Sequence, residues 1–210
     1  WWQLVIGYLC AMIAFFSKEN AIVFIVIFPL AVWFFYNNSR HQWLRVIPVI
    51  LAGIIFILVR GSILGTGINE ASSELMNNPF LKYEAGQMIP YTFQEKWATI
   101  IYNLGKYIQL MLVPYPLTSD YYPYQIPVLT LGNWKALLAL LVNLGLGIYA
   151  LLGIRKKSII SYGILFYFIT LSIVSNILVN VGTAMNERFV YMPSVGLCII
   201  VAYFLIRWLP

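Results

Sequence analysis

Charge, cysteine and histidine are all scarce in this chain. Of its 210 residues only 10% are Asp, Glu, Lys or Arg, against about 25% in ordinary soluble domains. Too little charge is left to coat a water-soluble surface. The two cysteines, Cys10 and Cys198, both lie inside apolar runs, and the one histidine, His41, sits in a short basic loop. That count excludes a disulfide framework and a zinc site, and the cysteines read as small buried hydrophobes. Aspartate occurs once, at Asp120. No glycine-rich phosphate loop, nucleophile elbow, HExxH or CxxC is present, which removes the usual soluble-enzyme signatures.

What is abundant is apolar and aromatic: 61% hydrophobic residues and 17% aromatic, with 15 Tyr and 7 Trp. This is the composition of an all-α, polytopic membrane helix bundle, in which every backbone polar group is satisfied inside its own helix. The net charge of +6 comes from bases scattered among apolar runs. They form no basic face, so nucleic acid is not expected as a partner. Six runs are candidate spanning helices: 2–16, 21–36, 44–59, 134–154, 159–179 and 189–209. The first three fall short of the roughly 20 residues of a full span, and Pro29 and Pro48 are expected to kink two of them. The chain opens on Trp1-Trp2 with neither an initiator Met nor a basic leader. It is therefore read as one transmembrane domain over 1–210, cut from a longer protein.

Between 61 and 133 the pattern changes to a long polar loop region with "GTGINEASSELMNNP" at its centre. Near 95–113 it carries an amphipathic helix, with Glu95, Thr99, Asn103, Lys106 and Gln109 on one side and Trp97, Ile100, Ile101, Leu104, Ile108 and Met111 on the other. If that helix lies flat at the interface, one face of the membrane receives Arg40, Arg45, Arg155, Lys156, Lys157 and Arg207 and no acid. The opposite face receives all seven acids and the other seven bases. The positive-inside rule then puts the basic loops in the cytoplasm. A spanning amphipathic helix would abolish the asymmetry, so the flat arrangement is preferred. Lys18, Glu19, Arg60, Asp120, Glu187 and Arg188 then share the extracytoplasmic side.

Each of these is a candidate for chemistry, with a plainer role beside it. Lys18 and Glu19, in "SKEN", either make a polar hairpin turn with Lys18 snorkelling to headgroups, or offer Lys18 to an anionic lipid-linked substrate. Arg60, read as the end of the third helix, either complements the helix dipole or grips phosphate through its bidentate fork. Asp120 and Tyr121 lie in "LMLVPYPLTSDYYPYQIP", whose prolines forbid a regular helix. That segment suits an interfacial aromatic belt, or a sugar platform with a carboxylate able to act as base. Glu187 and Arg188 precede Tyr191, and the three-residue spacing from Arg188 to Tyr191 lets both face one way. The plainer role for Glu187-Arg188 is a structural ion pair at a helix start.

In order and rough spacing, "FFSKENAIVFIVIFPL", "LGKYIQLMLVPYPLTSDYYPYQIP" and "NERFVYMPSVGLCIIVAYFL" resemble the membrane part of the transmembrane-and-tetratricopeptide-repeat proteins. Those belong to the polytopic glycosyltransferase superfamily that includes the protein O-mannosyltransferases. The resemblance runs over nearly all of the chain. It implies transfer of a sugar, mannose first among the expectations, from a polyprenyl- or dolichyl-phosphate carrier to an acceptor, a protein Ser or Thr hydroxyl or a glycan. The reaction would lie on the lumenal or periplasmic side of the endoplasmic reticulum or bacterial inner membrane. The catalytic acid is then expected before Trp1; members of the family often carry tetratricopeptide repeats after the membrane part, and none is visible before Pro210. Divalent metal use differs among such relatives and stays open. Lys18, Arg60 and Arg188 would hold the carrier phosphate, with Glu187 paired to Arg188. Glu19, Asp120, Tyr121 and Tyr191 complete the candidate substrate-binding set. Two rival classes are a transporter or lipid-carrier flippase, which would show inverted repeats, and a non-catalytic membrane scaffold. No repeat relates the two halves.

Overall fold

The computed structural model describes residues 2–36, 40–64, 78–84, 86–118, 121 and 125–209. Its elements in chain order are α1 (Trp2–Ser17), a short 3-10 turn (Glu19–Val23), α2 (Phe24–Phe35), α3 (Arg40–Trp43), α4 (Ile47–Leu64), β1 (Leu81–Glu84), β2 (Gln87–Pro90), α5 (Phe93–Leu112), α6 (Trp134–Ile154), α7 (Ile159–Ser172), a second 3-10 turn (Glu187–Val190) and α8 (Tyr191–Trp208). The chain is mostly helical. Among the described residues two helices are long and apolar enough to cross a membrane, Trp134–Ile154 and Glu187–Trp208. Four more apolar helices are shorter, at 10–17 residues. By length and composition, then, two spans stand where six are expected.

Local chemistry explains the boundaries. α5 starts on a capping box: Thr92 Oγ1 accepts from Glu95 N, and the Glu95 carboxylate accepts from Thr92 N at 2.7 Å, so two otherwise orphaned backbone donors are satisfied reciprocally. Asn133 caps α6, its Oδ1 accepting from Lys135 N at 2.9 Å. Pro29 sits inside α2, where it deletes one backbone donor. Pro48 occupies the first turn of α4, where no intrahelical donor is lost, so it opens that helix rather than bending it. α4 runs on to Leu64, which puts Arg60 inside the helix and not at its end. α7 stops at Ser172, short of the apolar run's end at 179. Asn176 takes φ 61 there, and its side chain ties the following loop: Nδ2 donates to Thr183 O at 2.9 Å and Oδ1 accepts from Val181 N at 2.9 Å.

Within the polar stretch, β1 and β2 form an antiparallel hairpin with Leu81 opposite Pro90 and Glu84 opposite Gln87. Gly86 turns it at φ 85, a conformation that glycine adopts without strain. The hairpin is locked to α5 by Lys82, which bonds Glu95 at 2.8 Å and Glu84 at 3.3 Å. The Lys82 bond and the Thr92 capping donors hold the Glu95 carboxyl at about 2, below its ordinary value of 4.5.

The bundle has two distinct ends. Lys157 Nζ donates to Tyr36 O at 3.3 Å and lies 5.2 Å from the Trp33 ring, so the turn after α6 and the end of α2 share one end. At the other, Val23 packs in a cluster that Ile173 and Met192 join, so the first 3-10 turn, the end of α7 and the start of α8 lie together. The partners of α5 all belong to this second end. Ala98 packs with Leu129 and Ala136, Gly105 abuts Ala139, and Tyr107 and Leu110 pack with Tyr167, Leu171, Val174 and Met185. α5 therefore crosses one end of the bundle instead of running its length. Its Thr99 and Asn103 are both buried against the protein, so part of the polar side of the amphipathic pattern faces inward, while Gln109 at its far end is exposed.

Between α7 and α8 the backbones nearly touch. A Cβ on Gly163 would come within 2.6 Å of Gly196 O, and one on Gly196 would collide with Gly163 O. Small residues at a helix crossing permit this approach, as in membrane bundles. Outward faces are apolar throughout, with Ile13, Leu58, Leu141, Leu152 and Ile206 all exposed. Cys10 and Cys198 are exposed on these faces, not buried as their apolar setting suggests.

Candidate functional site

At the end of the bundle crossed by α5, two polar groupings form. The first joins the turn after α1 to α4. Arg60 Nη2 donates to Glu19 Oε2 at 2.9 Å, an exposed pair bridging 41 residues. Lys18 is exposed and makes no ion pair or hydrogen bond through its side chain among the described residues. Arg60 is thus satisfied by Glu19, and Lys18 is the free cation of the turn.

The second grouping centres on Glu187, and its geometry is not the expected one. Glu187 and Arg188 do not pair. The Glu187 Oε1 accepts from Thr118 N at 2.6 Å and from the Tyr121 hydroxyl at 3.0 Å. The carboxylate thereby fastens the loop after α5 to the turn that opens α8. Burial, then the hydrogen bond to Glu187, push the Tyr121 hydroxyl pKa up, keeping it a proton donor to that carboxylate across the neutral range. Arg188, released from any carboxylate, is exposed and lies 5.6 Å from the Phe189 ring centroid, within cation–π range. Its backbone N–H is capped by Asn186 Oδ1 at 3.0 Å. Tyr191 is 84% exposed; its backbone N–H donates to Arg188 O, closing the 3-10 turn. Asp120 lies outside the described residues. Thr118 and Tyr121, its described neighbours in sequence, are the two residues that Glu187 holds.

Sequence reasoning missed the residues that position Glu187. Asn103 Nδ2, on α5, donates to Ala184 O at 2.8 Å, and the Tyr107 hydroxyl, one turn on, accepts from Asn186 N at 3.3 Å. Burial raises the Tyr107 pKa, so this group stays neutral. Asn176 braces the same loop from within. The signal available was the four-residue spacing of Asn103 and Tyr107, but a polar residue on an amphipathic helix is ordinarily assigned to water. Among the described residues no hydrogen bond or ion pair joins the Lys18–Glu19–Arg60 grouping to the Glu187 grouping; they share an end of the bundle. Among the described residues no three His, Cys, Asp or Glu side chains gather as metal ligands.

This arrangement presents Lys18 and Arg188, exposed cations with no ion pair among the described residues, beside a loop held by the half-buried Glu187 carboxylate. Exposed cations on a rigid apolar frame suit an anion whose remainder is greasy.

Comparison with known proteins gives one informative relative. The chain is 28% identical over 169 residues to "Protein O-mannosyl-transferase TMTC4" of Mus musculus, covering 76% of this chain and 21% of that protein. The chain therefore spans about a fifth of the length of the curated relative it matches. No family model matches, and no solved structure matches. The resemblance to a protein O-mannosyltransferase is distant. Together with the apolar helices it supports a membrane setting.

Proposed function

We propose that this chain is part of a membrane glycosyltransferase that moves a sugar, mannose first among the choices, from a polyprenyl- or dolichyl-phosphate carrier to a protein Ser or Thr hydroxyl. The observation that carries the proposal is the similarity to the mouse protein O-mannosyl-transferase. The unpaired cations at one end of the bundle give that similarity a chemical meaning. In this reading all six apolar helices cross the bilayer, the shorter ones where the protein thins it. The end holding Lys18, Arg60 and Glu187 is extracytoplasmic, because the opposite end carries six bases and no acid.

The carrier phosphate sits at the interface, where Arg188 and Lys18 neutralise it. The bond from the sugar's anomeric carbon to the phosphate oxygen breaks, the electron pair stays on the phosphate, and the acceptor oxygen forms the new bond. Cations fixed where that charge develops lower the barrier. Glu187 is a positioning residue: it ties Thr118 and Tyr121 to the turn that carries Arg188. Arg60 and Glu19 shape the adjoining wall, and Tyr191 faces the lipid side. The base that takes the acceptor's proton is assigned to no residue of this chain.

The test is transfer of label from radiolabelled polyprenyl-phosphate-mannose to protein in membranes containing the full-length parent protein, beside membranes without it. Label that appears with the parent protein alone, on Ser or Thr, is the expected result. Absence of transfer from mannose and from a panel of other polyprenyl-phosphate sugars would overturn the reading.

A further inference from the structure

A groove runs along the bundle between α1 and α2, from Gln3 and Tyr36 at one end to Phe15 and Phe24 at the other. α1 packs against α4 and the first 3-10 turn, while α2 packs mainly against α7. The space left between α1 and α2 is a groove of about 740 Å³, floored by Pro48 and Val49 of α4. Small residues open it: Gly7, Ala11 and Ala14 on α1 and Ala31 on α2. It follows α1 from Gln3 to Phe15, about 18 Å at 1.5 Å per residue, close to one leaflet of a roughly 30 Å hydrocarbon core.

The groove is polar at one end only, where Gln3, Tyr36, Gln42 and Arg45 line it. Arg45 is exposed and has no carboxylate partner among the described residues. Its end of the bundle carries six bases and no acid in the sequence. Gln42 Oε1 is buried and receives no hydrogen bond, a deficit that a ligand hydroxyl would fill. A cation and an unmet acceptor beside a leaflet-long apolar slot define one chemistry. The geometry points to a binding site for an anionic glycerophospholipid with a hydroxylated headgroup, of the phosphatidylglycerol or phosphatidylinositol kind. One acyl chain fills the groove, the phosphate meets Arg45 and a headgroup hydroxyl donates to Gln42. The sugar carrier is a poorer occupant, because the groove is apolar where it nears Lys18, at Phe15 and Phe24, and its cation, Arg45, stands at the end away from Lys18 and Arg188. The inference rests on the chain lying in a bilayer but not on the glycosyl transfer.

The test uses the full-length parent protein in phosphatidylcholine vesicles doped with phosphatidylglycerol bearing a photoactivatable acyl chain, with peptide mapping of the label. Labelling concentrated on 4–15 and 24–32, and about fivefold stronger than with the same probe on phosphatidylcholine, is expected; one surface base contributes about that factor. Gly7→Phe should remove this labelling. A Cβ at Gly7 meets nothing within 4 Å, so the ring enters the groove without disturbing the helix. Arg45→Gln should keep groove labelling and bring the two probes to parity. Label spread evenly over the outward faces, or unchanged by Gly7→Phe, would overturn the site. Equal labelling by a photoactivatable polyprenyl phosphate would overturn the phospholipid assignment. Carbonate extraction of the same membranes reads the bilayer setting separately: release of the wild type would sink that reading and this site with it.

Discussion

The two ends of this bundle handle charge in opposite ways. At the end formed by Tyr36, Arg45 and the turn after α6, cations meet carbonyls and rings: Lys157 bonds the Tyr36 carbonyl and lies over Trp33, and no acid occurs there in sequence. At the other end every described acid is engaged: Glu19 with Arg60, Glu84 and Glu95 with Lys82, Glu187 with Thr118 and Tyr121. A bare cationic end suits adhesion to anionic headgroups, which needs no particular geometry. An end where carboxylates are consumed in bracing loops, leaving Lys18 and Arg188 without a carboxylate among the described residues, as are Lys96, Lys106 and Lys135, suits a site that must hold its shape. The difference teaches that the acids here act as architecture and leave the unpaired bases for ligands.

Breaking the frame between the ends should have the largest effect. Gly196→Leu drives a side chain into the Gly163 carbonyl; overpacking of this kind costs about 1–3 kcal/mol or more, and against a rigid backbone the upper part of that range applies. Loss of monodisperse protein in size-exclusion chromatography of the detergent-solubilised protein would show it. Next is Glu187→Ala, which removes a charge-assisted backbone bond and the Tyr121 bond. A loss of about 2–3 kcal/mol in thermal unfolding is expected, with Glu187→Gln restoring much of it because the amide oxygen still accepts. If Glu187→Ala left stability unchanged, the contrast between the ends would lose its centre. Thr92→Ala deletes one half of the α5 capping box and should cost about 1 kcal/mol.

Acid should act selectively on the same end. The Glu95 carboxyl lies at about 2 when folded against 4.5 for a free glutamate side chain. Its folded pKa is lowered, so its contribution is complete above pH 4.5 and fades as pH falls toward about 2. Hydrogen exchange at pH 5 and pH 2.5, corrected for intrinsic rates, should show the hairpin and the first turn of α5 losing protection before α6 does. Equal loss in both would contradict the lock.

Much of this was legible in the sequence. The apolar runs mark the helices, and the one-sided distribution of acids anticipates the two ends. Other features were not legible, for definite reasons. α7 looks continuous to Val179 because its residues stay apolar, yet Asn176 adopts φ 61 and turns the chain. β1 and β2 are four residues each, too short for alternation to show. Glu187 and Arg188 look like an ion pair because they are adjacent; the actual partners of Glu187 lie 69 and 66 residues away, and no local pattern encodes them.

The most direct test of the central claim sets the two ends against each other in the mannose-transfer assay. Arg188→Ala in the full-length parent protein should lower kcat about 10²-fold, the scale of removing one fixed group that stabilises developing charge. Arg155→Ala, at the bare cationic end, should leave it unchanged at equal expression. Equal activity in both variants, or a loss confined to Arg155→Ala, would contradict the claim that the braced end of the bundle is where the carrier phosphate is held.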